Sequence, residues 1–135
     1  MPDARLVVSG RPPPYVIAEP GILATGYIDD DAMPSLVSAL DVACIITANS
    51  AFGRCSYPAK LCEAMACQVP VVATSTAPVR WMLGDDSRFL VPIGDPDGIA
   101  EGILSMLRTP QSDYGELPTW TTSAALLEQC LLSVG

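Results

Sequence analysis

The chain has 135 residues, half of them hydrophobic and 16% charged, with seven Lys and Arg against fifteen Asp and Glu for a net charge of −8. That length suits one domain around one core. The acidic balance argues against nucleic acid as a partner, since neutralising phosphates takes clustered cations; no apolar stretch approaches the roughly 20 residues of a membrane span, and MPDARLVVSG lacks signal-peptide organisation.

Charge this sparse, against roughly 25% in a typical soluble domain, leaves apolar surface in excess. It points to a face that packs on a second domain, a second copy or a membrane surface. The five cysteines (Cys44, Cys55, Cys62, Cys67 and Cys130) match no zinc-ligand or CxxC spacing. They read as buried thiols in a reducing compartment, so a cytoplasmic location is expected. With no histidine in the chain, a Ser-His or Cys-His couple is excluded within it.

In chain order, Leu6 to Ser9 is a short apolar run closed by Gly10. The Pro12-Pro13-Pro14 loop after it is expected to be non-helical, because three donors are missing in a row. Ile22 to Ile28 is a second strand candidate. Asp29, Asp30 and Asp31 precede a short helix, Met33 to Leu40, whose positive end they suit. Val42 to Thr47, VACIIT, is apolar on both faces and reads as a buried strand.

Next comes a polar loop, Ala48 to Tyr57, and then a helix with Pro58 as its first residue, running to about Cys67. Val71 to Thr74 is another buried strand, Val79 to Leu83 a helical turn or two, and Arg88 to Val91 a strand. Asp95-Pro96 opens a helix with a side-chain cap and proline at the first position. A polar linker, Thr109 to Pro118, leads to a last helix from about Thr121 to Leu132. Five strands alternating with helices predict an α/β fold, a Rossmann-like three-layer αβα arrangement with a mostly parallel sheet of about five strands. Such sheets bind ligands beyond the carboxyl ends of their strands.

The loop and helix between VACIIT and PVVAT carry the polar chemistry. Lys60 is the only lysine, and it falls in a helix's first turn, where unpaired amides already favour an anion. Gly53 would let the loop backbone approach a ligand, and Arg54 adds a second cation. Glu63, about one turn further on, would suit a sugar diol as an acceptor of two hydroxyl protons. Spacing alone does not separate this from a solvated i,i+3 pair worth roughly 0.2–0.5 kcal/mol, with Gly53 a plain turn residue.

FGRCSYPAKLCEAMACQVPVVAT resembles the donor-binding segment of GT-B glycosyltransferases, particularly glycosyltransferase family 4. Glu63-Ala64-Met65-Ala66 and Pro70-Val71-Val72-Ala73 match that family's E-A-M-A-x-G-x-P-V-V-A, with Gln68 where it has glycine. ILATGYIDDDAMPSLVSALDVACIITA, FLVPIGDPDGIAEGI and the helix after Trp120 resemble the flanking pieces in the same order. The resemblance covers nearly the whole chain. It implies a domain at 1–118 that binds a nucleotide sugar, and at 119–135 a closing helix packed on it or on a partner.

The resemblance further implies that Glu63 holds the donor ribose, that amides around Gly53 and Arg54 with Lys60 hold the diphosphate, and that Ile28 and Asp30 contact the base edge. The family's first acid, which contacts the sugar, falls at Ser50 when Phe52-Gly53 is aligned with its Phe-Gly and at Cys55 when counted back from Glu63, and neither is acidic. The expected ligand is a UDP- or GDP-sugar, with no metal and no catalytic residue in this chain, in a retaining, metal-independent glycosyltransferase. The acceptor-binding half and the donor domain's first strand are expected to be missing, so the chain alone should transfer no sugar. Its partners would be a separate acceptor-binding domain or a second copy, and membrane association stays open for the full enzyme.

In the strand order 3-2-1-4-5-6 the missing strand is central. LVVSG is therefore expected to pair directly with VACIIT, the alternative being cover from a second chain. Two other readings stand beside this one. The first is a free-standing remnant that associates with proteins or with itself. The second is a receiver-like domain in which Asp29, Asp30 and Asp31 hold magnesium near Lys60, although acids in a first helical turn also serve the dipole.

Overall fold

The structure, a computed structural model, describes residues 4–133. The chain divides into two compact units, residues 1–39 and 40–135.

In the first unit, β1 (Leu6–Ser9) leads through a four-residue helix α1 (Pro14–Ile17) to β2 (Ile22–Gly26), and the two strands pair in parallel. Pro14 is the first residue of α1, where a missing N–H costs nothing; only Pro12 and Pro13 stay outside, so the expected non-helical loop is shorter than three prolines suggested. β2 stops two residues short of Ile28, at Gly26 with φ +72°. A 3-10 turn (Asp30–Ala32) then runs into α2 (Met33–Ser38). No described residue of this unit is buried, as expected when a two-stranded ribbon has so little chain to cover it. Arg11 lies over the Tyr27 ring, 5.5 Å from its centroid.

The second unit holds the core. β3 (Ala43–Ile45), β4 (Val71–Thr74) and β5 (Leu90–Val91) form a parallel sheet in the order β3-β4-β5. All four residues of β4 are buried because the strand is central and helices cover the sheet on either side of it. Between β3 and β4 run α3 (Ala51–Cys55) and α4 (Ala59–Ala66); α5 (Ala77–Leu83) joins β4 to β5. α6 (Pro96–Arg108) packs on β4 and β5. A Cβ built on Gly102 of α6 would stand 3.1 Å from a Val72 methyl, so a side chain there would require Val72 to give by a few tenths of an ångström. Asp95 caps α6 by accepting from Gly98 N at 2.9 Å, with Pro96 first, as the sequence predicts.

Phe89 and Tyr114 close the bottom of this core, with ring centroids 5.1 Å apart. The Tyr114 hydroxyl donates to the Val69 carbonyl at 2.6 Å, and burial pushes the phenol up to about 12. Last comes α7 (Trp120–Leu132), capped by a Thr119–Thr122 box. Every described residue of α7 is exposed, Trp120 by 93%.

Three expectations change here. The five strands are present and all their pairings are parallel, yet they form one two-stranded and one three-stranded sheet. LVVSG does not pair with VACIIT: β1 pairs with β2 and β3 with β4, because each apolar run takes the partner its own crossover delivers. The cysteines are not buried as expected; Cys44, Cys55 and Cys130 are exposed, and Cys62 and Cys67 half-buried.

The position that departs from the family's glycine now has a physical meaning. Gln68 follows the C-cap of α4 at φ +56°, the left-handed conformation in which glycine carries no Cβ penalty. Its Nε2 donates to the Met65 carbonyl at 3.3 Å and recovers part of the cost. Gln68→Gly is expected to stabilise the protein by about 0.5–1 kcal/mol, a net of the strain removed and the entropy glycine adds to the unfolded chain. A urea midpoint that rises at constant slope would show it; a midpoint that falls would refute the strain.

Candidate functional site

Five of the seven residues singled out in the sequence lie in one stretch, Ser50 to Glu63, directly beyond the carboxyl end of β3. Its course is set by a buried hydroxyl. Thr74, 1% exposed at the carboxyl end of β4, accepts from Thr47 N at 2.8 Å. Its own proton reaches the Thr47 carbonyl at 3.2 Å or the Ile45 carbonyl at 3.4 Å. The two strand ends are thereby locked together, and the chain leaves β3 at a defined angle. Sequence reasoning placed Thr74 in a strand and missed this role; its signal is a lone hydroxyl closing the apolar run VVAT.

The expected loop Ala48 to Tyr57 contains α3, five residues long. Ser50 is its N-cap, accepting from Gly53 N at 3.0 Å, and the Ser50 carbonyl accepts from Arg54 N at 3.0 Å. Both amides expected to hold a diphosphate are therefore engaged by Ser50. Gly53 is buried and serves a close approach of another kind. A Cβ there would overlap the Ala48 carbonyl oxygen and stand 2.7 Å from the Thr47 methyl. The glycine is required by the chain's own backbone. Arg54 is exposed, with Nη1 donating to Asn49 Oδ1 at 3.2 Å.

α4 begins one residue later than expected, with Pro58 as its N-cap and no side-chain cap. Its first backbone bond runs from Leu61 N to the Pro58 carbonyl at 2.9 Å. The amides of Ala59 and Lys60 precede that bond and are its unengaged donors. Leu61, Ala64 and Met65 bury one face of α4, which leaves Lys60 and Glu63 on an exposed shoulder. The two do not pair: among the described residues the salt bridges are Arg80–Asp85 and Arg88–Asp86. A cation and an acid on the same shoulder, each without its mate, are available to a ligand.

Beside them stands an aromatic pair absent from the sequence reading. Tyr57 and Trp81 have ring centroids 6.4 Å apart, and Cys62 Sγ donates to the Tyr57 hydroxyl at 3.3 Å. The neighbouring Cys62 sulfur, with some burial, raises the Tyr57 phenol above its ordinary value. Ile28 and Asp30 belong to the other unit, where Ile28 is half-buried after β2 and Asp30 is exposed at the start of the 3-10 turn. Asp31 joins Asp30 in that first turn, as dipole partners would. Among the described residues no group of three or more acids, cysteines or histidines is arranged to hold a metal.

A capped turn, a helix N-terminus and the Lys60–Glu63 shoulder lie beyond the carboxyl edge of a parallel sheet, as in α/β folds, which bind ligands in that region. Residues 1–109 match the family described as "Glycosyl transferases group 1", and the chain belongs to that family, as a domain of the GT-B, family 4 type. It is also similar to the phosphatidyl-myo-inositol mannosyltransferase of Mycolicibacterium smegmatis (strain ATCC 700084 / mc(2)155), 32% identical over 121 residues, which cover 84% of this chain and 30% of that protein. The chain thus spans about 30% of its relative's length.

Proposed function

We propose that the stretch from Ser50 to Glu63 receives the nucleotide end of a sugar-nucleotide donor for glycosyl transfer. The observation that carries this is the α4 N-terminus, where two unengaged amides and Lys60 face outward with Glu63 one turn behind, inside a segment matched to the family. In this reading the Ala59 and Lys60 amides and the lysine ammonium hold the diphosphate. Glu63 accepts from the ribose hydroxyls, and Arg54 approaches the phosphates once it leaves Asn49. Ser50 contributes indirectly, because its side chain is committed to capping α3.

The relative is a mannosyltransferase by name, which makes GDP-mannose the first donor to test, with UDP-glucose beside it. Catalytic groups in GT-B enzymes are divided between two domains. These 135 residues, tested alone, are therefore expected to bind donor without transferring its sugar.

Calorimetric titration of GDP-mannose and UDP-glucose into the 135-residue protein tests the reading. Glu63→Ala is expected to weaken binding about 10- to 100-fold, as befits loss of charged hydrogen bonds worth roughly 1.5–3 kcal/mol. Lys60→Ala should weaken it as well, with a shallower dependence on salt. Equal affinity for wild type and Glu63→Ala would remove the assignment.

A second reading, a non-catalytic association module, is favoured by one observation: the Gly53 and Arg54 amides are already occupied by Ser50. Its mark would be no nucleotide binding by the wild type together with stable self-association.

A further inference from the structure

We infer that Thr74 is the positioning residue of the donor site: its hydroxyl extends the β3–β4 ladder one step past the strands and holds the stretch from Thr47 to Cys55 in the course that receives donor. The inference rests on the donor reading above, and every group it uses lies within residues 40–135.

The register shows why a side chain is needed there. β3 pairs with β4 from Ala43–Val71 to Ile45–Ala73, and Ala43 N donates to the Pro70 carbonyl at 2.8 Å. Steps of two along this parallel pair bring Thr47 N to the Thr74 carbonyl. That carbonyl is spent elsewhere, accepting from Thr76 N at 2.8 Å as the chain turns into α5. The Thr74 hydroxyl takes its place. It accepts from Thr47 N at 2.8 Å and returns its proton to the carbonyl of Thr47 or Ile45. Thr74 is 1% exposed, so an amide left without this partner is a buried loss.

From Thr47 the constraint passes along the loop. The Thr47 methyl and the Ala48 carbonyl both pack over the Cβ position of Gly53. The same carbonyl accepts from Ser50 N at 2.8 Å, and Ser50 takes the Gly53 and Arg54 amides. α3 ends at Cys55, three residues before Pro58 caps α4. A chain released at Thr47 samples other courses, and donor affinity falls with the fraction that keeps the native one.

Thr74→Val removes the hydroxyl and nearly keeps the volume, whereas Thr74→Ser keeps the hydroxyl and removes a buried methyl. Calorimetric titration of GDP-mannose into the 135-residue protein is expected to show about 10-fold weaker binding for Thr74→Val, as when the loop holds its course a tenth of the time. Thr74→Ser should bind as wild type does. A role in stability alone would leave both folded variants at wild-type affinity.

Amide hydrogen exchange without nucleotide reads the loop directly. In Thr74→Val the Gly53 and Arg54 amides should speed up about 10-fold beyond any change at the Ala73 amide, whose bond to the Phe89 carbonyl reports the core. If the wild type binds no nucleotide, the donor reading falls and exchange alone judges whether Thr74 holds the loop. Should Thr74→Val fail to fold, Thr74→Cys, which keeps only a weak donor and acceptor, gives the same comparison. Equal exchange gains at Gly53 and Ala73 overturn the inference. So does wild-type affinity in Thr74→Val, or a Thr74→Ser that binds as weakly as Thr74→Val.

Discussion

Phe89→Ala is expected to lower the unfolding free energy by about 3–5 kcal/mol. Phe89 is 2% exposed and stands immediately before β5, where its carbonyl accepts from Ala73 N at 2.8 Å. One side of its ring meets Tyr114, and it borders a small pocket of about 60 Å³ lined also by Met65, Leu83, Asp86 and Asp113. Removing the ring enlarges that cavity, and its lining cannot collapse because the Tyr114 hydroxyl is tethered to Val69. The guanidinium of Arg88, 5.1 Å from the ring centroid, is held by Asp86 and would not fill the gap. Against a typical total of about 5–15 kcal/mol, such a loss removes from about a fifth to all of the stability. Urea denaturation followed by tryptophan fluorescence would measure it. A Phe89→Ala cost no greater than that of Phe89→Leu, below about 1.5 kcal/mol, would show that the ring is not a keystone of this core.

Gly53→Ala should destabilise by about 1–3 kcal/mol and weaken donor binding in the same variant. Two effects oppose each other. Alanine in a helix gains about 1 kcal/mol over glycine from propensity. The added methyl, however, meets the Ala48 carbonyl oxygen, a backbone atom that cannot rotate aside, and the Thr47 methyl at 2.7 Å. Thr47 is itself fixed through its bond to Thr74. The contact therefore wins, and α3 must swing away, taking the Ser50 cap and the approach to α4 with it. Stability and GDP-mannose affinity measured on one preparation separate the possibilities. A Gly53→Ala protein as stable as wild type would mean that the loop yields freely and that the glycine was chosen for another reason.

These two residues show different degrees of legibility. The partner of Phe89 comes from far along the chain, but its burial follows from an apolar run that cannot be satisfied in water. Gly53 is visible as a special position in the sequence, while the neighbour that requires it is not. A glycine signals close approach without saying to what, and the neighbour proved to be a carbonyl five residues upstream. Pro58 gives a similar lesson: proline marks the start of a helix in sequence, and whether it stands just outside or just inside is settled by one turn of backbone geometry.

The linear pattern by itself determined the order of elements, the limits of VVAT and LVVS, the Asp95-Pro96 helix start and the kinship with group 1 glycosyltransferases. Those depend on hydrophobic period, capping chemistry and a run of motifs, which are local properties of the chain. Only the folded molecule decided that the five strands form two sheets, that Ser50 consumes the amides once reserved for phosphate, and that Thr74 pins the site's first loop. Hydrogen-bond partners 27 residues apart and the choice of a strand's neighbour depend on distances no single stretch encodes, because each backbone group takes the nearest unpaired acceptor that the packing of all the others allows.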